Sequence, residues 1–116
     1  MGVSVQFEWE GEEAKLMVKK YGSKGVREAC EVLLEDSKTE CPFREGILEN
    51  TGFVDYDYRE GKGDVIYDSP YAARLHEHPE YNFKGKGKGK WLERSYDRLS
   101  ERLLAHISKR IKEAMR

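Results

Sequence analysis

His76-Glu77-His78 is the segment whose residue types most invite chemistry. Two imidazoles with a carboxylate between them can bind zinc, and a hydrolytic centre would need a third ligand and an open position beside them. Zinc-binding histidines on a helix stand four apart so that both face one side, and that spacing is absent here. Glu80 is near but lies beyond Pro79. With the ligand set incomplete, His76 is expected to pack or to cap the end of a short helix and His78 to face solvent, and no metal is assigned. The run Lys84-Gly85-Lys86-Gly87-Lys88-Gly89-Lys90 comes next. Loops that cradle phosphate run from a strand into a helix and end in Gly-Lys-Ser/Thr. Here Trp91 follows Lys90, so that reading fails. Lys84, Lys86, Lys88 and Lys90 can still contact a phosphate backbone without sequence preference, or an acidic protein neighbour.

The remaining reactive types are sparse. Cys30 and Cys41 are the only cysteines; two do not make a disulfide framework, and a reducing compartment would keep them as thiols. Cys30 falls in an apolar stripe with Val26 and Leu33 and is expected to behave as a small buried hydrophobe. Tyr56, Tyr58, Tyr67, Tyr71, Tyr81 and Phe83 gather in one stretch and could stack bases. Asp55, Asp57, Asp64 and Asp68 lie among them and would repel a phosphate backbone, so a core or subunit-interface role is expected. No nucleophile with its base and no cofactor-binding pattern can be assembled. The chain is therefore expected not to be an enzyme and to need no cofactor.

The elements that would position these residues must come from a thin core. The 116 residues suit a single domain spanning 1–116, with 38% hydrophobic and 37% charged residues. No apolar run approaches a membrane span, and no basic segment followed by an apolar stretch marks a secretory signal. A cytoplasmic site of synthesis and no membrane partner are expected. The net charge of −1 conceals a segregation: residues 1–83 carry 10 basic and 18 acidic side chains, a balance of −8, and residues 84–116 carry 11 and 4, a balance of +7. Such a chain can attract copies of itself or a partner of either sign, unless folding mixes the two segments over one surface.

Residues 3–10 alternate, with Val3, Val5, Phe7 and Trp9 on one face, and predict a half-buried strand ended by Gly11. A short helix follows over 12–21, with Ala14, Met17, Val18 and Tyr21 on one side. Gly22-Ser23-Lys24-Gly25 is expected to break it, with Ser23 capping a second helix over 24–38 that carries Val26, Ala29, Cys30, Leu33 and Leu34 at helical spacing. Pro42 closes this segment, and residues 43–52 read as a loop. Residues 53–58 and 64–68 predict a hairpin across a five-residue loop, with Val54, Tyr56 and Tyr58 on one face. Pro70 starts a short helix running to about His76. Glycines and like charges predict a mobile basic loop over 84–90. From Trp91, the residues Leu92, Tyr96, Leu99, Leu103, Ile107 and Ile111 recur at steps of three and four and predict a long terminal helix. The fold expected is α+β: a small antiparallel sheet, made of the N-terminal strand and the hairpin, packed by two N-terminal helices and one long C-terminal helix.

Three motifs in this order resemble the minor capsid and tail-completion proteins that join head to tail in long-tailed bacteriophages. Cys41-Pro42-Phe43-Arg44-Glu45-Gly46-Ile47-Leu48-Glu49-Asn50 is similar to the family's Pro-x-x-x-Gly-x-Leu element, carried by Pro42, Gly46 and Leu48. Ser69-Pro70-Tyr71-Ala72-Ala73-Arg74-Leu75-His76-Glu77 resembles its Pro-Tyr-Ala stretch ending in His-Glu, carried by Pro70, Tyr71, Ala72, His76 and Glu77. Gly89-Lys90-Trp91-Leu92-Glu93-Arg94 is similar to its entry into the last helix, carried by Trp91, Leu92 and Glu93. The likeness covers roughly residues 3–115. It implies a virion protein, assembled in the bacterial host cytoplasm, that forms a homo-oligomeric ring at the neck. It would stack against connector or head-completion and tail-tube proteins around a DNA channel. The resemblance brings no catalytic residues. The Lys-Gly run is longer and more regular than the family pattern. Two rival readings stand beside it: a nucleic-acid-binding module using the basic last third, and a metal-dependent hydrolase at His76, Glu77 and His78.

Overall fold

The stripe that predicts the last helix organises the core. A computed structural model describes residues 3–7, 9, 11–41, 51–57, 59–68, 72, 76–77 and 90–115. Two helices carry most of the packing. The C-terminal one, Trp91–Ala114, buries Trp91, Leu92, Leu99, Leu103 and Ile107, while Tyr96 and Ile111 pack at the margin. Glu93 in its first turn and Lys112 in its last complement the helix dipole.

The N-terminal helices differ from expectation. Helix α1, Glu12–Met17, passes through one π turn, Val18–Gly22, directly into α2, Ser23–Lys38. The Gly22–Gly25 segment does not break the helix, and Ser23 is not a cap. Its backbone is helical (φ −51°, ψ −49°), and its Oγ donates to Lys19 O at 3.3 Å. A glycine costs about 1 kcal/mol against alanine inside a helix, but Gly25 is there for space. A Cβ on it would lie 3.1 Å from Arg110 Cβ and 3.3 Å from Ile107 Cα. Bringing the two long helices close outweighs the local cost. The π turn takes up an extra residue and rotates α1 relative to α2. The expected α1 stripe is therefore incomplete: Val18 is buried, Met17 and Tyr21 are half-buried, and Ala14 is exposed. The terminal helix is α3 in chain order.

The α2 stripe is as expected, with Val26, Ala29, Cys30, Leu33 and Leu34 all buried. Burial, with the charges of Asp64 and Glu31 nearby, pushes the Cys30 thiol up to about 12, so it stays protonated.

Three strands complete the domain. Strand β1, Val3–Phe7, and β2, Gly52–Asp57, both pair antiparallel with β3, Lys62–Tyr67, giving the order β1-β3-β2. Val5, Val65 and Val54 stand in one row, and Phe7, Gly63 and Tyr56 in the next. This is the face that α2 and α3 cover. Ser4, Gln6, Phe53, Asp55 and Asp57 on the other face are exposed.

Strand boundaries shift from those expected. Strand β1 is described over Val3–Phe7, with Phe7 opposite Gly63, and Glu8 and Glu10 lie outside the described residues. Trp9 is tied to the hairpin turn, its Nε1 donating to Gly61 O at 2.8 Å. The hairpin loop is 58–61 rather than 59–63, so Lys62 and Gly63 belong to β3. Asp57 tightens it: Oδ1 accepts from Arg59 N at 2.9 Å and Glu60 N at 3.2 Å, and Gly61 closes it at φ +63°.

The charge segregation along the chain is folded into one interface. Glu28 of α2 accepts from Arg110 at 2.9 Å and meets His106 at 3.0 Å. Arg98 of α3 pairs with Asp36 and lies 3.6 Å from Glu40. Acidic residues from the first segment thus meet basic ones from the last within one molecule. Among the described residues, no helix is long and apolar enough to cross a membrane.

Candidate functional site

His76, the most chemical of the sequence candidates, sits where the helical residues 76–77 meet the start of α3. Only 4% of it is exposed. Lys90, just ahead of α3, has a left-handed backbone (φ 58°), and no other non-glycine described residue has positive φ. That conformation turns the Lys90 N–H onto His76 O at 2.8 Å, while Lys90 O accepts from Arg94 N at 2.9 Å and opens the helix. Glu93 N, one of the amides that a helix start leaves without a partner inside the helix, donates to His76 Nε2 at 3.3 Å. His76 packs, as expected, and its ring in addition caps the start of α3 rather than the end of its own short helix.

Aromatic contacts extend the joint into the core. The His76 ring meets Trp91 edge-on at 4.9 Å between centroids, and Trp91 meets Tyr67 the same way at 5.6 Å. Ser37 Oγ donates to Leu34 O at 2.8 Å. Its own hydrogen is thereby engaged, so the 2.6 Å contact with Tyr67 has the Tyr67 hydroxyl as donor. A continuous line runs from His76 through Trp91 and Tyr67 to α2. Trp91 Nε1 is buried and has no hydrogen-bond partner among the described residues.

Charges gather on the solvent side. Glu77 Oε1 lies 3.3 Å from His76 Nδ1, and Lys90 Nζ lies 3.6 Å from Glu77 and 3.4 Å from Glu93. The hydrogen bond from His76 and the charge of Lys90 hold the Glu77 carboxyl below its ordinary value. The charges of Glu77 and then Glu93 hold Lys90 above its own.

These contacts bear on each sequence candidate. Of the first motif only Cys41 is described, fully buried; Pro42, Gly46 and Leu48 lie outside the described residues. Of the second, Ala72 and His76 are buried and Glu77 is exposed, while Pro70, Tyr71 and His78 lie outside. Trp91 and Leu92 of the third are buried and Glu93 is exposed. Lys84, Lys86 and Lys88 lie outside the described residues, as does the rest of the mobility expected for that run. Lys90 belongs to an acid-flanked cluster rather than to a freely presented basic loop.

Several described residues of the two rival sites are engaged within the fold. A metal would need a lone pair on His76, yet Nε2 accepts from a backbone amide and Nδ1 then carries the proton. Among the described residues, no group of three or more His, Cys, Asp or Glu could hold a metal ion. Stacking of bases on the aromatic stretch is unsupported by Tyr67, which is fully buried, and by Tyr56, which faces the helices. Tyr58, Tyr71, Tyr81 and Phe83 are outside the described residues. Arg98 and Arg110 of the basic third already hold acids of α2.

A second surface feature lies on the solvent side of α2 and α3. It is an open groove of about 860 Å³, with Ala29, Val32, Leu99 and Leu103 among its lining. Glu31 and Glu35 line it from α2, and Arg102 and His106 from α3.

Sequence patterns missed the joint because its partners are not periodic. His76 and Glu93 stand 17 residues apart, across a stretch with no helical or strand repeat. The Gly22–Gly25 spacing lies on the buried side of the helix and marks close helix approach rather than a break. Comparison of the chain with family models, with characterised proteins and with solved structures finds no match.

Proposed function

We propose that this domain is a structural assembly protein of a long-tailed bacteriophage. It oligomerises as a ring at the head–tail junction and docks between connector or head-completion proteins and tail-tube proteins. The three motifs that resemble the minor capsid and tail-completion family lead to this reading. What supports it is the joint between two of them: His76-Glu77 and Trp91-Leu92-Glu93 form one packed, hydrogen-bonded contact. Residues used to set the direction of a long helix suit a scaffold whose work is done on its outer surface. The contribution to assembly is non-enzymatic, and Lys84, Lys86 and Lys88 supply a cationic segment for an acidic neighbour or for DNA in the channel.

Particle mass in solution tests the reading, measured for the chain alone and mixed with connector or tail-tube proteins. A defined multiple of the chain mass, or a complex of fixed stoichiometry with either partner, is expected. A chain that stays monomeric in every mixture and binds none of them overturns the proposal. Salt-sensitive retention on DNA without any virion partner would favour the nucleic-acid module instead, and stoichiometric zinc the hydrolase.

A further inference from the structure

We infer that His76 is a pH-sensitive clasp: it ties the first turn of α3 to the helical residues 76–77 and releases it when the imidazole takes up a second proton. The neutral tautomer follows from its partners. Glu93 N is a donor without a lone pair to offer, so His76 Nε2, at 3.3 Å, must accept. The single ring proton is then on Nδ1, 3.3 Å from Glu77 Oε1. A second proton can go only to Nε2. There it would face the amide hydrogen that Nε2 now accepts, at the positive end of a 24-residue helix. An attractive contact becomes two opposed donors.

The surroundings set the pH at which this happens. Among the described residues, the charged groups facing the ring are Glu77 beside it in the chain, Lys90 just ahead of α3 and Glu93 on α3. Burial disfavours the cation most. Glu77 and Glu93 favour it, Lys90 opposes it, and the balance holds His76 below the ordinary histidine value. The clasp is closed at neutral pH and opens in acid.

What it ties together is the two described ends of the interval 77–89. His76 O accepts from Lys90 N as well, at 2.8 Å. One residue therefore grips the chain on both sides of the interval 77–89, which carries Lys84, Lys86 and Lys88. Releasing the ring contact loosens the start of α3 relative to that interval. The device goes beyond the assembly reading and needs no partner to operate.

Nitrogen-15 NMR of the whole chain tests it. The His76 ring and the solvent exchange of the Glu93 amide, corrected for its intrinsic rate, are followed from about pH 7.5 to about pH 5. The Nδ1-protonated tautomer is expected at the upper end, with a titration midpoint below about 6.5. Protection of the Glu93 amide should fall about tenfold along the same curve, as loss of one hydrogen bond allows, while the Leu103 amide keeps its protection. In His76→Gln the side-chain oxygen can accept the same bond and does not titrate, so Glu93 protection should become independent of pH. A midpoint at or above the ordinary value, the opposite tautomer, or Glu93 protection that ignores the His76 titration overturns the clasp. Should His76→Gln fail to fold, the wild-type titration alone decides. None of these readouts involves oligomers, so loss of the clasp and loss of the assembly reading would be seen separately.

Discussion

Two regions hold α3 in place, and they are built on opposite principles. Along its side, α3 meets α2 through Leu99, Leu103 and Ile107 set against Val26, Ala29, Cys30 and Leu33, with ion pairs at the rim. At its start, α3 is held by one ring nitrogen, one carbonyl and an edge-on indole. The first region is redundant and non-directional, because its energy scales with apolar area. The second depends on single groups at fixed angles. The side contact can lose a residue and keep its geometry, whereas the joint changes character with one proton.

The largest test of this contrast is on the side contact. Leu103 is 5% exposed, and Leu103→Ala should cost about 2–5 kcal/mol. Urea unfolding should show a lower midpoint with an unchanged slope. A loss below about 0.5 kcal/mol would mean that Leu103 contributes no more than a surface residue and that area does not anchor α3.

A smaller loss is expected along the aromatic line from the joint. Tyr67→Phe keeps the ring against Trp91 and removes only the hydroxyl that donates to Ser37. The cost should be about 1 kcal/mol, the usual net value of a buried hydrogen bond. Thermal unfolding of Tyr67→Phe beside Ser37→Ala separates the bond from the packing. If the two changes add fully in the double variant, the hydroxyls are not coupled.

These regions also differ in how far the sequence discloses them. The α2 and α3 stripes announce themselves by period, since residues spaced three and four apart must share a face. The alternation of Val3, Val5 and Phe7 does the same for β1. What period cannot disclose is direction. Nothing about His76 in the chain says that its ring nitrogen will accept from an amide 17 residues on. Its visible neighbours Glu77 and His78 suggest a metal instead. Gly25 misled for a related reason: a local rule treats glycine as a helix breaker, while the space needed by Arg110 and Ile107 is a property of the folded pair. The ion pairs of Glu28, Asp36 and Glu40 fall between these cases, because the charge imbalance was visible and its internal neutralisation was not.

The rim of the side contact offers a pH test. Burial alone would raise the Glu28 carboxyl, but hydrogen bonds and charges from His106 and Arg110 outweigh it and hold it below its ordinary value of 4.5. A lowered folded value means that the unfolded chain binds the proton first. Glu28 therefore stabilises the fold above about 4.5 and loses that contribution as pH falls through its folded value. Glu28→Gln should flatten the acid side of the stability profile and cost under about 1 kcal/mol at neutral pH, since the pair is partly solvated. A profile parallel to wild type would show that the rim pairs are decorative.

The smallest effect on stability should come from the basic interval, and here the joint separates two kinds of lysine. Lys90 is fixed by its left-handed backbone and sits between Glu77 and Glu93, so replacing it disturbs the start of α3. Lys84, Lys86 and Lys88 alternate with glycines and bring four-carbon stems but no apolar anchor. Exposed charges contribute little to folding. Replacing Lys84, Lys86 and Lys88 together by Ser should therefore leave the unfolding midpoint within error of wild type. If the interval meets an acidic neighbour or DNA, as the assembly reading proposes, binding should weaken, and the salt dependence should become shallower because fewer counterions are displaced. Lys90→Ser should show the reverse pattern, with altered exchange at Glu93 and little change in that salt dependence. If the triple variant assembles with wild-type affinity and wild-type salt dependence, the interval carries no partner contact. The functional surface must then be sought elsewhere, with the α2–α3 groove and its apolar lining of Ala29, Val32, Leu99 and Leu103 as the next place to cut.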